Sequence, residues 1–320
     1  MESSAIWMPL LLSFVISVIV GPLIIPFLRR LKVGQPIRQD GPKEHLKKTG
    51  TPTMGGFLIL ISVTVTSVLY VKEYPKIAPV LFVTLGFGLI GFLDDYLKIV
   101  FRSSEGLRPW QKLLLQLTVT GLFAYYMVNM SGISLAMKIP FKEGYFIDFG
   151  ILNVPMIFVV VAGCANGTNF TDGLDGLVSS VTVLTATFFS VSAIGLDAGI
   201  HPIACAVAGA LLGFLLFNVH PASVFMGDTG SLALGGFLAA SAYMMQMPLF
   251  LPIVGFVYVA EVLSVVIQVL YFKLTGGKRI FKMAPLHHHF ELCGYSENRI
   301  VTAFTVVTAG LCLVAFAGIF

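Results

Sequence analysis

Five aspartates stand where long apolar runs end. Asp94 and Asp95 lie in Gly-Phe-Leu-Asp-Asp-Tyr (91–96), and Asp172 and Asp175 in Asn-Phe-Thr-Asp-Gly-Leu-Asp-Gly-Leu (169–177). Asp228 lies in Phe-Met-Gly-Asp-Thr-Gly (225–230). Hydrocarbon does not tolerate carboxylates, so each must face water, protein or a ligand. Adjacent Asp94 and Asp95 raise each other's proton affinity unless a cation separates them. Mg²⁺ suits them, because it prefers hard oxygen ligands and shares them with phosphates. Asp228, flanked by small residues, can reach such a metal without steric hindrance. The loop 166–176 adds the carboxamides of Asn166 and Asn169, donors and acceptors together, which suits a nucleobase or sugar. Gly173 and Gly176 allow close backbone approach to a ligand. Capping of the following helix by Asp172 or Asp175 is a compatible alternative. Phe225 can stack a flat ring or anchor its loop at the interface, and alone it favours anchoring.

Other polar residues point the same way. Pro-Leu-His-His-His-Phe-Glu (285–291) holds His287, His288 and His289. Neighbouring helical residues point about 100° apart, which disfavours a three-histidine metal site. Anion handling with Lys278, Arg279 and Lys282 fits better, against a basic loop facing anionic lipid. Glu261, Ser264 and Gln268 share one helical face, for bundle packing or ligand contact. Lys47–Gly56, with Lys48 and Thr53, has the look of an anion-binding loop. It lacks the Gly-Lys-Ser/Thr of a P-loop, so NTP hydrolysis is unsupported.

The elements that must position these groups follow from composition. Of 320 residues, 57% are hydrophobic and 11% charged, where a soluble domain carries roughly 25% charged. The expected fold is an all-α polytopic membrane protein with one domain over residues 1–320. Ten segments approach the length a membrane-spanning helix needs: 5–28, 54–71, 78–93, 111–130, 151–165, 176–194, 201–217, 231–247, 249–272 and 300–320. The first has no basic n-region or small-residue cleavage site, so it reads as a retained span. Pro252 and Gly255 predict a bend near the start of the ninth. A short hairpin is expected within 131–150. Cys164, Cys205, Cys293 and Cys312 are scattered, with no metal or disulfide pattern.

Ten spans put both termini on one side. The odd-numbered loops then hold sixteen of the twenty Lys and Arg residues, among them Lys32, Arg38, Lys43, Lys47 and Arg102; Lys72, Lys76, Lys138 and Lys142 lie opposite. The positive-inside rule makes those loops cytoplasmic and both termini external. All five aspartates and the histidine run then fall on the cytoplasmic face.

With these motifs assembled, the chain resembles the phospho-N-acetylmuramoyl-pentapeptide transferases of bacterial membranes. Gly-Thr-Pro-Thr-Met-Gly-Gly (50–56), the stretches at 91–96 and 169–177, and 285–291 carry the resemblance. It covers nearly the whole chain, and the histidine run separates the family from relatives that transfer other N-acetylhexosamine phosphates. It implies transfer from UDP-N-acetylmuramoyl-pentapeptide to undecaprenyl phosphate, releasing UMP, with Mg²⁺ as cofactor. It implies a multi-pass homodimer in the bacterial plasma (inner) membrane, with no nucleic-acid partner.

The resemblance also implies roles. Asp94 and Asp95 match the acidic pair near the phosphates, Asp228 the magnesium ligand, and His287 the leading histidine of an essential triad that His288 and His289 complete. Asp172, Asn218 and Phe225 match the nucleotide pocket; Lys48 and Lys112 match basic residues lining the cleft. Thr53, Asn166, Asn169, Asp175 and Gln268 join the expected substrate-binding set. Gly163–Phe170 departs locally from the family pattern, with Gly167 and Phe170 changing loop stiffness and bulk. A transporter or cation channel is the alternative from another class, with Glu261 the one acid at midplane depth. A sister transferase using UDP-N-acetylglucosamine is the alternative nearer by.

Overall fold

The computed structural model describes residues 4–30, 48, 50–101 and 105–319. Lys32, Arg38, Lys43, Lys47 and Arg102 lie outside the described residues. The protein is mostly helical: α1 (Ser4–Arg30), α2 (Gly56–Tyr70), α3 (Ile77–Val100), α4 (Pro109–Asn129), α5 (Asn153–Thr171), α6 (Leu177–Gly195), α7 (His201–Asn218), α8 (Gly227–Met244), α9 (Leu251–Val254), α10 (Phe256–Leu274), α11 (Leu286–Leu292) and α12 (Glu297–Ala317). Each of the ten apolar segments coincides with a helix, the ninth divided between α9 and α10. Among the described residues, seven helices are long and apolar enough to cross a membrane: α1, α3, α5, α6, α7, α10 and α12. The chain is thus a polytopic membrane protein. α2, with 15 residues, reaches about 22 Å at 1.5 Å per residue.

The helices are apolar around most of their circumference, so close packing by small residues decides which faces meet. α8 lies at the centre, buried along nearly its whole length, with α3 and α5 against it. α1 packs on α7, and α6 on both α7 and α12. Glycines sit where backbones touch. A methyl group on Gly91 would lie 2.0 Å from the Asp228 carbonyl oxygen, and one on Gly235 would lie 2.4 Å from Ala165 Cα. Large apolar side chains point outward along α1 (Leu11, Ile19, Leu23), α10 (Leu263, Leu270) and α12 (Val306, Leu313). Hydrocarbon is the surrounding that accepts faces of this extent.

The expected hairpin is present: β1 (Met137–Lys138) pairs antiparallel with β2 (Phe146–Ile147). Lys138, in β1, ties it to the segment after α12, its Nζ donating to the Ile319 carbonyl at 2.7 Å. The bend expected near Pro252 and Gly255 is also there, since Gly255 separates α9 from α10.

Candidate active site

Asp94 and Asp95 occupy the last turns of α3, buried against the start of α8. Asp95 is held by α8 itself: its carboxylate accepts Asp228 N at 3.2 Å, Thr229 N at 2.9 Å and Thr229 Oγ1 at 2.7 Å. Asp94 accepts Leu107 N at 2.9 Å and pairs with Lys98 Nζ, one helical turn on, at 2.6 Å. Asp228 stands in the first turn of α8, where a helix N-terminus favours a carboxylate. Its Oδ2 meets Lys112 Nζ at 2.7 Å and Lys98 Nζ at 3.2 Å. Asn169 Nδ2 donates to Oδ1 at 2.9 Å and to Ser231 Oγ at 2.9 Å. Oxygens of Asp94, Asp95 and Asp228 all come within 4.8 Å of one another. Counted with every group ionised, three carboxylates and two ammonium groups sum to one net negative charge.

Around this centre, Gly227 takes φ +74°, and its Cα approaches both Asp95 and Thr53; a Cβ there would lie 2.7 Å from Asp95 Oδ2 and from Thr53 Oγ1. The Thr53 hydroxyl is buried without a protein partner among the described residues. Segment 52–56 is laced to the start of α8 by main-chain bonds, Phe225 N to Pro52 O and Gly55 N to Phe225 O, both 2.8 Å. Phe225 is half-buried at that junction.

Asp172 caps the C-terminus of α5, and Gly176, with φ +75°, is the N-cap of α6. Neither aspartate is therefore an N-cap: the chain needs a left-handed residue at that turn, and glycine supplies it. Burial first, then the carboxylates of Asp228 and Asp95, push the Asp172 carboxyl well above its usual range, although the Gly227 N–H donates to it. Asp175 turns the other way, to Lys48 Nζ at 2.8 Å, His220 Nδ1 at 3.0 Å and Ala222 N at 3.0 Å. Burial opposes the charge of Lys48, but bonds to Asp175 and Glu297 outweigh it and raise its pKa.

His287 stands in the first turn of α11 beside the same loop: a Cβ on Gly173 would lie 2.1 Å from its Nε2. Its ring is buried, with Nδ1 3.2 Å from Glu261 Oε2, and neither nitrogen has an aligned hydrogen-bond partner among the described residues. Glu261 instead receives the main-chain N–H groups of Leu286 at 2.7 Å and His287 at 3.2 Å. Glu261, the candidate acid for midplane depth, is thus bound to the histidine segment. His288 Nδ1 pairs with Glu291 at 2.7 Å, and His289 Nδ1 accepts Lys282 N at 3.1 Å.

Three expected ligand contacts are engaged within the protein. Asn218 accepts Gly176 N at 3.2 Å and Ser179 Oγ at 3.0 Å and donates to Val224 O at 3.0 Å, so its amide braces the loop before α8. Asn166 donates back to Ala162 O at 2.8 Å, within its own helix. Gln268 accepts Ile280 N at 3.1 Å and Phe281 N at 3.0 Å and donates to Phe281 O at 3.0 Å. Gln268→Ala therefore frees segment 275–285 without touching the acids. Tryptic cleavage at exposed Lys278 and Arg279 is expected to quicken several-fold, because local opening becomes easier. An unchanged cleavage rate would show that the amide does not hold the segment.

The family model described as glycosyl transferase family 4 matches residues 77–246, from the start of α3 to just past α8. Phospho-N-acetylmuramoyl-pentapeptide-transferase of Clostridium kluyveri is 50% identical over 308 residues, 96% of each chain. The chain belongs to the phospho-N-acetylmuramoyl-pentapeptide transferase family. The proteins of the same name from Clostridium perfringens, 49% identical over 314 residues and 98% of each chain, and Acetivibrio thermocellus, 50% identical over 309 residues, 96% of this chain and 93% of the relative, agree. This transferase assignment covers the transmembrane bundle and the loops between its helices alike.

Sequence reasoning missed several residues in this site. Lys98 entered only the charge count, although its i+4 spacing from Asp94 was a sufficient signal. Glu297, His220, Thr229 and Ser231 carried none, because each acts on a partner distant in the chain or on main-chain groups.

Proposed function

We propose that the chain transfers phospho-N-acetylmuramoyl-pentapeptide from UDP-N-acetylmuramoyl-pentapeptide to undecaprenyl phosphate, forming lipid I and UMP. Whole-length kinship with the transferases supports it. The observation that carries it is the meeting of Asp94, Asp95 and Asp228 with Lys98 and Lys112 at one end of an apolar bundle. A soluble nucleotide-sugar and a prenyl phosphate can meet only where water and hydrocarbon adjoin.

The lipid phosphate is already a nucleophile, since a phosphate monoester has a second pKa of about 6. In the proposed step its oxygen attacks the β-phosphorus in line; the bond from that phosphorus to the bridging oxygen breaks, and UMP leaves with the electron pair. Lys112 and Lys98 are placed to hold phosphate oxygens. Asp94 or Asp95 orients the attacking group or accepts a proton. Phosphoryl transfer asks mainly for such positioning and charge complementarity. The donor set fits Mg²⁺: hard carboxylate oxygens, with Asp228 the ligand and the acid pair beside it. When bound, Mg²⁺ neutralises charge on the diphosphate. Asp172, Asp175, Asn169, Phe225, Thr53 and Lys48 form the proposed nucleotide end, and His287 with its neighbours the anion-handling side.

The proposal includes ten spans, with the site cytoplasmic and both termini external, in a homodimer of the bacterial plasma membrane. The exposed apolar face of α10 below the bend suits the prenyl tail, in a groove open sideways to the bilayer. The test is UMP release by purified protein in detergent. It should require UDP-N-acetylmuramoyl-pentapeptide, a polyprenyl phosphate and Mg²⁺ together, with UDP-N-acetylglucosamine inactive. A chiral β-phosphorus should emerge inverted. Retention would instead favour a covalent aspartyl intermediate, and turnover without the prenyl phosphate would defeat the assignment.

A further inference from the structure

We infer that Glu297, the first residue of α12, is a positioning residue that fixes Lys48 and the loop 172–176 for the nucleotide-sugar. This rests on the proposed nucleotide end of the site. Glu297 Oε1 accepts Asp175 N at 2.6 Å and Lys48 Nζ at 2.7 Å, while Oε2 lies 3.1 Å from His220 Nδ1. Asp175 faces the same two groups from the other side, Lys48 at 2.8 Å and His220 at 3.0 Å. Two carboxylates therefore share a lysine and a histidine, and four separate chain segments meet at one point.

The order in this cluster comes from α12. Its N-cap, Ser296, is extended, and the helix behind Glu297 runs 21 residues and packs on α6. That foundation is fixed by the bundle, whereas Lys48 is a long side chain and 172–176 is a turn. The Asp175 N–H is a main-chain donor whose acceptor is the Glu297 side chain, so the loop's conformation depends on α12. The same loop carries Asp172 toward Asp228 and Gly173 against His287. Glu297 thus ties the nucleotide end to the reacting end without touching the acid trio. Asp175, His220 and Glu297 also approach within 4.8 Å of one another, as a cation site would require. The Lys48 ammonium lies against both carboxylates, 2.8 Å from Asp175 and 2.7 Å from Glu297.

Glu297→Gln keeps an acceptor for Asp175 N but loses the charge that Lys48 and His220 face. Hydrogen bonds to charged groups are strong enough that KM for the nucleotide-sugar is expected to rise about tenfold. The kcat and the KM for polyprenyl phosphate should stay within about twofold, because the lost interaction holds the nucleotide equally in the ground and transition states. Calorimetric affinity for UMP should fall in parallel, and Glu297→Asp, which keeps the charge, should recover part of the loss. Lys48→Ala separates the two claims. If Lys48→Ala raises KM and Glu297→Gln does not, the positioning role is wrong and the nucleotide reading stands. If neither moves KM, the nucleotide reading itself fails. A fall in kcat with KM unchanged, or a Glu297→Asp variant no better than Gln, would reduce Glu297 to a structural contact.

Discussion

Asp228→Asn is expected to lower transfer about a thousandfold or more while the chain stays folded. The substitution is nearly isosteric. The amide oxygen can still accept from Asn169, as Oδ1 does now at 2.9 Å. What disappears is the charge opposite Lys112 at 2.7 Å and Lys98 at 3.2 Å. One formal negative charge is lost from the cluster, and both ammonium groups are left to Asp94 and Asp95. A neutral amide is also a poor ligand for a hard divalent cation compared with a carboxylate. The two losses act together on one step. The check is UMP release at saturating Mg²⁺, beside a thermal melt of the same preparation. A melting temperature within a few degrees of the parent's would locate the defect in chemistry. Near-normal turnover would remove Asp228 from the metal role and with it the proposed centre.

How far the sequence revealed this arrangement depended on the kind of contact. Apolar runs long enough for a bilayer have few alternatives to helix, because lipid offers no partner for main-chain groups. The helices that these runs form and the break at Gly255 were therefore legible. So were Asp94, Asp95, Asp172 and Asp228, since a carboxylate among apolar residues must have a purpose. The nature of the partner was less legible. Asn218 and Gln268 signalled a need for hydrogen bonds, and the need is met within the protein, by Gly176, Ser179 and Val224 for Asn218 and by main chain about twelve residues away for Gln268. A polar side chain announces that it requires a partner; it does not announce whether that partner is ligand or loop. Glu297 lies 249 residues from Lys48, a separation that no local pattern bridges. Glu261 shows the same limit, because its bonds to residues 286 and 287 only make sense once α10 and α11 are packed.

Gly91→Ala should damage both fold and transfer although it alters no polar atom. The added methyl would sit 2.0 Å from the Asp228 carbonyl oxygen and 2.6 Å from Thr229 N. Both obstacles are backbone, so no rotamer change relieves them. α3 and α8 would have to part by more than about 1 Å, and overpacking of this kind typically costs 1–3 kcal/mol or more. The same separation would strain the bonds from α8 to Asp95, now 2.7 to 3.2 Å. A displacement of that size at a reacting centre can cost about a hundredfold in rate. The expected result is a clear fall in melting temperature together with about that loss of transfer. Gly163→Ala supplies the contrast. It is a helical glycine of α5 with nothing within 4 Å of the new methyl, so the intrinsic preference of helix for alanine should leave stability equal or slightly higher and transfer unchanged. If Gly91→Ala matched Gly163→Ala in both measurements, the acid centre would not depend on the close approach of α3 to α8. The carboxylates would then have to be held by their side-chain partners alone.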